Sequence, residues 1–145
     1  MQRTFSSVLP ASEYGKQRFP TLRQGAEEEH IIDVPLRRLE TLLTQQFGEP
    51  RSDGTPPRIF LKMDTQGFDL EVFRGLGAWA EHVVGLQSEV SLLPIYEQMP
   101  RMAEAVAEYE RGGFEISGLY PVTSEPDGRV IEYDCVMVRA AACPE

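Results

Sequence analysis
The chain has 145 residues, 41% of them hydrophobic, a size and composition suited to one compact domain with a single core. Its 23 acidic residues outnumber the 14 Lys and Arg, giving a formal net charge of -9 without a concentrated basic face, which argues against a nucleic-acid partner. No apolar stretch is long enough to span a bilayer, and the opening MQRTFSSVLP lacks the apolar segment of a signal peptide, so no membrane is expected and the expected location is cytoplasmic.

Residues 1–30 are rich in Ser, Pro, Gly and charge and carry no sustained period, which predicts an irregular arm. At 31–35, IIDVP predicts a short strand, and Leu36, Leu39, Leu43 and Phe47 then recur at helical spacing. Breakers concentrated at 48–57 predict a surface loop. The run IFLKMD at 59–64 is almost continuously apolar, as expected of a parallel strand buried on both faces. After Thr65, Gln66 and Gly67, one side of a short helix is marked by Phe68, Val72, Phe73 and Leu76, with Gly75 and Gly77 helping to end it. A second strand is expected at 82–90, HVVGLQSEV. Next comes a helix on Met99, Met102, Val106 and Tyr109, opened by Pro100 and closed by Gly112 and Gly113. FEISGLY from Phe114, the turn SEPDG and RVIEYDCVMV from Arg129 predict an antiparallel hairpin, and residues 141–145 a tail. The order strand, helix, strand, helix, hairpin predicts an α/β fold with a mixed sheet, mostly parallel and closed by an antiparallel strand. Of the two cysteines, Cys135 lies inside an apolar run and Cys143 near the end. Neither has a partner at metal-ligand or redox spacing, in keeping with a reducing compartment.

The stretch LKMDTQGFDLEVFRGL, 61–76, resembles the signature of the FkbM methyltransferase family: an LK-I-D strand end, a short acidic-Gly turn, and a helix ending in L-x-G. The likeness continues in family order through VVGLQSEVSLLPIYE, GGFEISGLYPV and VIEYDCVMVR, and upstream through VPLRRLETLL, so that it covers 33–139. The resemblance implies a class I methyltransferase-like (Rossmann-like) sheet and S-adenosylmethionine as cofactor. The reaction it implies is methyl transfer to a hydroxyl of a small molecule or sugar bound beyond the central strands. In such enzymes a Gly-rich turn after the first strand and an acid after the second hold the cofactor. No such turn follows an early strand here, so those elements would precede residue 1. The resemblance therefore implies the C-terminal portion of the domain, at 31–140, inactive alone, with its cofactor-binding residues unknown. The position before Gly67 is usually acidic in the family the chain resembles, whereas this chain has Gln66.

Ligands of open α/β sheets bind beyond the carboxyl ends of strands, which makes Asp64 and Glu89 the candidates to position or deprotonate a hydroxyl acceptor. Gln66, Gly67 and Tyr96 are candidates for contacting the acceptor. The bland alternatives are that Asp64 caps the following helix, that Glu89 pairs with Lys62, and that Tyr96 packs over the sheet. Lys62 lies on the same face as Asp64, which suggests an internal ion pair. A divalent metal at Asp64 is an open alternative, and no metal-ligand set is assigned. His82, at the opposite strand end, is read as a surface residue, Asp134 as a cross-strand partner, and Met99 and Met102 as an ordinary core face. A non-catalytic binding or oligomerisation module is the competing function. In the family's strand order, 59–64 would be left as an apolar sheet edge, open to a second copy or a separate N-terminal half. A third arrangement has residues 1–29 folding back over that edge.

Overall fold
The computed structural model describes residues 6–27, 32–50 and 57–140. The expected irregular arm is, over its described part, largely helical: α1 (Glu13–Arg18) is followed by α2 (Pro20–Glu27). Ser12 caps α1, its Oγ accepting from the Gly15 amide at 3.0 Å, with Glu13 in the first turn and Lys16 and Arg18 in the last, a charge order that suits the helix dipole. Neither helix is long enough for an apolar period to show, which is why the segment reads as irregular. Tertiary contacts hold it. Ser12 N donates to Ile95 O and Glu97 N to Pro10 O, while Leu9, Tyr14, Phe19 and Leu22 pack with Ile95, Tyr96, Met99 and Ile131. The segment thus folds onto the loop after the second strand rather than over the edge at 59–64. At Gly15 the approach leaves no room for a side chain, since a Cβ there would lie 2.2 Å from Ile95 O.

Tyr14 ties α1 to the distant hairpin. Its hydroxyl donates to Glu125 Oε1 at 2.6 Å, and burial, reinforced by that carboxylate, pushes its pKa from 10.0 up to about 12. Because the folded value is the higher one, this contribution to stability is intact below pH 10 and is lost as pH rises through about 12. Tyr14→Phe is expected to cost about 1 kcal/mol at neutral pH. It should also flatten the fall in melting temperature over that alkaline window, and a variant with the wild-type pH dependence would show that the phenol is not held this way.

The strand expected at 31–35 does not form over its described part; Ile31 lies outside the described residues. Residues 32–38 are irregular, and Ile32, Val34 and Leu36 are exposed. Among the described residues no strand pairs with it to take its backbone hydrogen bonds, so apolar alternation alone does not make one. Helix α3 (Leu39–Phe47) begins after Leu36, and its Leu39 and Leu43 pack on the main core. The loop expected at 48–57 is described only at its ends, 48–50 and 57.

Four strands form one open sheet in the order β1-β2-β4-β3: β1 (Ile59–Lys62), β2 (Val83–Ser91), β3 (Phe114–Ser124) and β4 (Val130–Arg139). Only β1 and β2 are parallel; β2–β4 and β4–β3 are antiparallel. The sheet is mixed, as expected, but among the described residues two of its three strand pairings are antiparallel, which corrects the expectation that it is mostly parallel. The hairpin returns β4 into the slot between β2 and β3, where a strand from a tight turn must run antiparallel to its neighbour.

Between β1 and β2 come α4 (Asp69–Arg74) and a 3-10 helix (Gly77–His82); α5 (Met102–Arg111) follows β2. All pack on one face. Its core joins Leu86 and Val90 of β2, Cys135 and Met137 of β4, Leu70, Leu76 and Trp79 of the connection, and Val106 and Tyr109 of α5. Burial of Cys135 pushes its thiol up to about 11, leaving it an inert core residue. His82 ends the 3-10 helix with its ring 5.3 Å from that of Trp79. The expectation that β1 is buried on both faces fails. Ile59 and Leu61 pack on the core, but Phe60 and Lys62 on the other side are exposed, because the helices lie on one face only.

Candidate functional site
β1 and β2 run parallel, so their carboxyl ends lie side by side, and the turn from β1 into α4 crosses between them. Asp64 follows the end of β1, and Glu89 lies near the end of β2 on the same face. Gln66 sits in the turn and joins them. Its Nε2 donates to Asp64 Oδ1 at 3.2 Å and to Glu89 Oε2 at 3.0 Å, while its Oε1 accepts from the Tyr96 hydroxyl at 2.9 Å. That pattern orients the amide: the oxygen has a donor to face and the nitrogen has two carboxylates. The residues singled out in the sequence thus meet around one side chain.

The backbone of the turn is unusual where it does this. Gln66 has φ +53 and Gly67 φ +97, consecutive residues in left-handed space. Ser7 Oγ donates to Gln66 O at 2.7 Å, so the N-terminal segment closes over the turn. A Cβ on Gly67 would stand 3.2 Å from Tyr96 Cδ2 and 3.3 Å from Leu9 Cδ1 and Met99 Cγ. Strain and crowding together mean that Gly67→Ala is expected to cost about 1–2 kcal/mol. It should also loosen the contact between residues 7–9 and the turn, read as faster amide exchange in both segments; unchanged stability would mean that the turn relaxes freely.

Electrostatics separate the roles open to these groups. Burial, reinforced by the charges of Glu132 and Glu89, raises the Tyr96 pKa far above its ordinary value, so Tyr96 stays protonated and serves as a hydrogen-bond donor. Asp64 is exposed and paired with Lys62 at 3.3 Å, both side chains 58% accessible. That ion pair is a surface one rather than the internal one expected. Asp64 does not cap α4 either, since no side chain caps that helix. Glu89 is half-buried, and across the sheet stands opposite Asp134, which is itself opposite Tyr120 on β3.

Sequence reading passed over the carboxylate that holds the site together. Asp69 is 5% exposed. Its Oδ1 accepts from the Thr65 amide at 2.8 Å and the Thr65 hydroxyl at 2.5 Å, and its Oδ2 from Ser88 Oγ at 2.9 Å and the Glu89 amide at 3.1 Å. Ser88 Oγ also lies 3.0 Å from the Tyr109 hydroxyl. Asp69 therefore fixes the turn carrying Gln66 to the backbone of Glu89. An acidic residue in the first turn of a helix is too ordinary for the sequence to have singled it out.

Beside the site, an open groove of about 850 Å³ runs between α4 and α5, lined by Leu70, Arg74, Ala103 and Glu108, with Gly67 and Met99 at its inner wall. Asp64 and Glu89 do not line it. Among the described residues no group of His, Cys, Asp and Glu is arranged to hold a metal ion, and no helix is long and apolar enough to cross a membrane.

The family model described as methyltransferase FkbM domain matches residues 2–116. No curated protein and no solved structure matches the chain.

Proposed function
The chain belongs to the methyltransferase FkbM domain family, and on that premise we propose that it serves S-adenosylmethionine-dependent methyl transfer to a hydroxyl of a small molecule or sugar. On this reading the fold is class I and Rossmann-like, and the chain supplies the acceptor-facing side of the reaction. The observation that carries the reading is the Gln66 amide, which holds Asp64 and Glu89 together at the carboxyl ends of two parallel strands. Glu89, half-buried and steadied by that donor, takes the proton of the acceptor hydroxyl. Asp64, at the exposed rim, orients the acceptor, and Tyr96 keeps the amide turned toward both acids.

The described residues do not by themselves fit the cofactor. Gly67, the glycine nearest the carboxylates, is enclosed by Tyr96, Leu9 and Met99. The turn at Gly67 therefore leaves no open backbone for a nucleoside to approach beside the carboxylates. No step is therefore assigned to the cofactor.

The test is incubation with S-adenosylmethionine tritiated in its methyl group and a panel of sugars and polyketide alcohols, alongside calorimetric titration of the chain with the same cofactor. Label in an acceptor supports methyl transfer. The enclosed Gly67 favours a second reading, a non-catalytic binding module, and absence of both heat and transferred label would leave that reading standing alone.

A further inference from the structure
Gln66 holds a left-handed backbone, φ +53, although it carries a side chain, so its conformation has to be imposed by what surrounds it. Its two flanks are fixed by different parts of the chain. Upstream, the Thr65 amide donates to Asp69; downstream, the Gln66 carbonyl accepts from Ser7 Oγ at 2.7 Å. The Ser7 hydroxyl itself accepts from the Leu9 amide at 3.0 Å, which leaves its proton directed at the Gln66 carbonyl. Leu9 closes over Gly67, and Ala11 forms an antiparallel bridge with Tyr96, the residue whose hydroxyl donates to Gln66 Oε1. The segment is also anchored away from Gln66: Glu97 N donates to Pro10 O, Ser12 N to Ile95 O and Ser12 Oγ to Pro94 O.

We propose that Ser7 is a positioning residue of the carboxylate site, its hydroxyl holding the Gln66 peptide so that the side-chain amide is aimed at Asp64 and Glu89. The role rests on the reading of those acids as the acceptor-binding pair, and Ser7 acts on them through Gln66. Rotation about the Gln66 backbone swings its Cβ, and with it the amide that bridges Asp64 Oδ1 and Glu89 Oε2. A glutamine free to choose leaves left-handed space, where its Cβ crowds the following carbonyl. The Ser7 bond opposes that by fixing the carbonyl itself. Without it Asp64 and Glu89 lose their common donor, and the acceptor hydroxyl meets a base whose place is no longer set, which lowers kcat more than it raises KM. The requirement is for a hydroxyl: one atom must accept from Leu9 N and donate to Gln66 O, which serine and threonine can do and alanine cannot.

The test reads Gln66 directly, by NMR of the full chain, with its side-chain amide resonances identified by their loss in Gln66→Glu. In Ser7→Ala those protons are expected to exchange with solvent about fivefold faster or more, the worth of one hydrogen bond, and the carbon shifts and HN–Hα coupling that report the Gln66 φ should move away from left-handed values. Ser7→Thr should keep both signals. Tyr14→Phe, which loosens the same segment at the hairpin without touching the turn, should leave them in place. In the methyl-transfer assay Ser7→Ala should lose a similar factor in kcat, with Ser7→Thr restoring it. Gln66 signals that stay unmoved in Ser7→Ala, that move equally in Tyr14→Phe, or that Ser7→Thr fails to keep would each overturn the proposal, whatever the activity. A wild-type chain that transfers no methyl group, with the Gln66 signals responding as described, would instead remove the proposed reaction and uphold the part of Ser7 in holding the amide.

Discussion
Replacing Asp69 by alanine is expected to lower the stability of the fold by about 3–4 kcal/mol, with the denaturant slope unchanged. The side chain is a buried carboxylate accepting four hydrogen bonds, from both polar groups of Thr65, from Ser88 Oγ and from the Glu89 amide. Removing it leaves those donors unpaired in a largely buried site, and leaves the Ser88 hydroxyl with Tyr109 alone. Asp69→Asn removes less: it keeps one acceptor oxygen but turns an amide against donors, and about 2 kcal/mol is expected. Ser88→Ala and Tyr109→Phe, each deleting one neutral group, should cost about 1 kcal/mol apiece beyond any packing loss. Urea unfolding monitored by Trp79 fluorescence reads all four. If Asp69→Ala costs under about 1 kcal/mol, the turn is held by packing and the network adds little.

Glu89→Gln is expected to reduce methyl transfer about a hundredfold or more, chiefly in kcat, because proton removal from the acceptor is lost while the hydrogen bond from Gln66 can be kept by the new amide oxygen. Gln66→Glu is the sharper probe. It places a carboxylate at this position, removes the donor between Asp64 and Glu89 and gathers three carboxylates within hydrogen-bond reach. Like charges so close favour retention of a proton, so the acidic limb of the pH-rate profile should move upward, with activity lost at neutral pH and partly regained in alkali. A structural role for Gln66 would lower activity without moving that limb. If Glu89→Gln retains the wild-type rate, Glu89 is not the base.

The strand, turn and helix from Ile59 to Arg74 were legible because hydrophobic period, glycine placement and the family signature agree there. Legibility was as good for α5, whose apolar stripe buries Val106 and Tyr109, and for the hairpin with its SEPDG turn. Asp64, Gln66, Gly67, Glu89 and Tyr96 were each identifiable by their place at a strand end or in the turn after it. That they meet through a single amide was not, because Gln66 and Tyr96 lie 30 positions apart and no local pattern records a contact at that range.

The sequence by itself determined which short segments form strands or helices after residue 57, which end of the sheet carries the acids, and the family to which the chain belongs. Only the tertiary structure decided that β4 enters between β2 and β3, that β1 is covered on one face and not on both, and that residues 13–27 coil into helices against the loop beyond β2. The physical reason is common to all three. A side-chain period states which side of an element is apolar, whereas the partner that covers it, and the strand that completes its hydrogen bonds, come from chain segments the period cannot register.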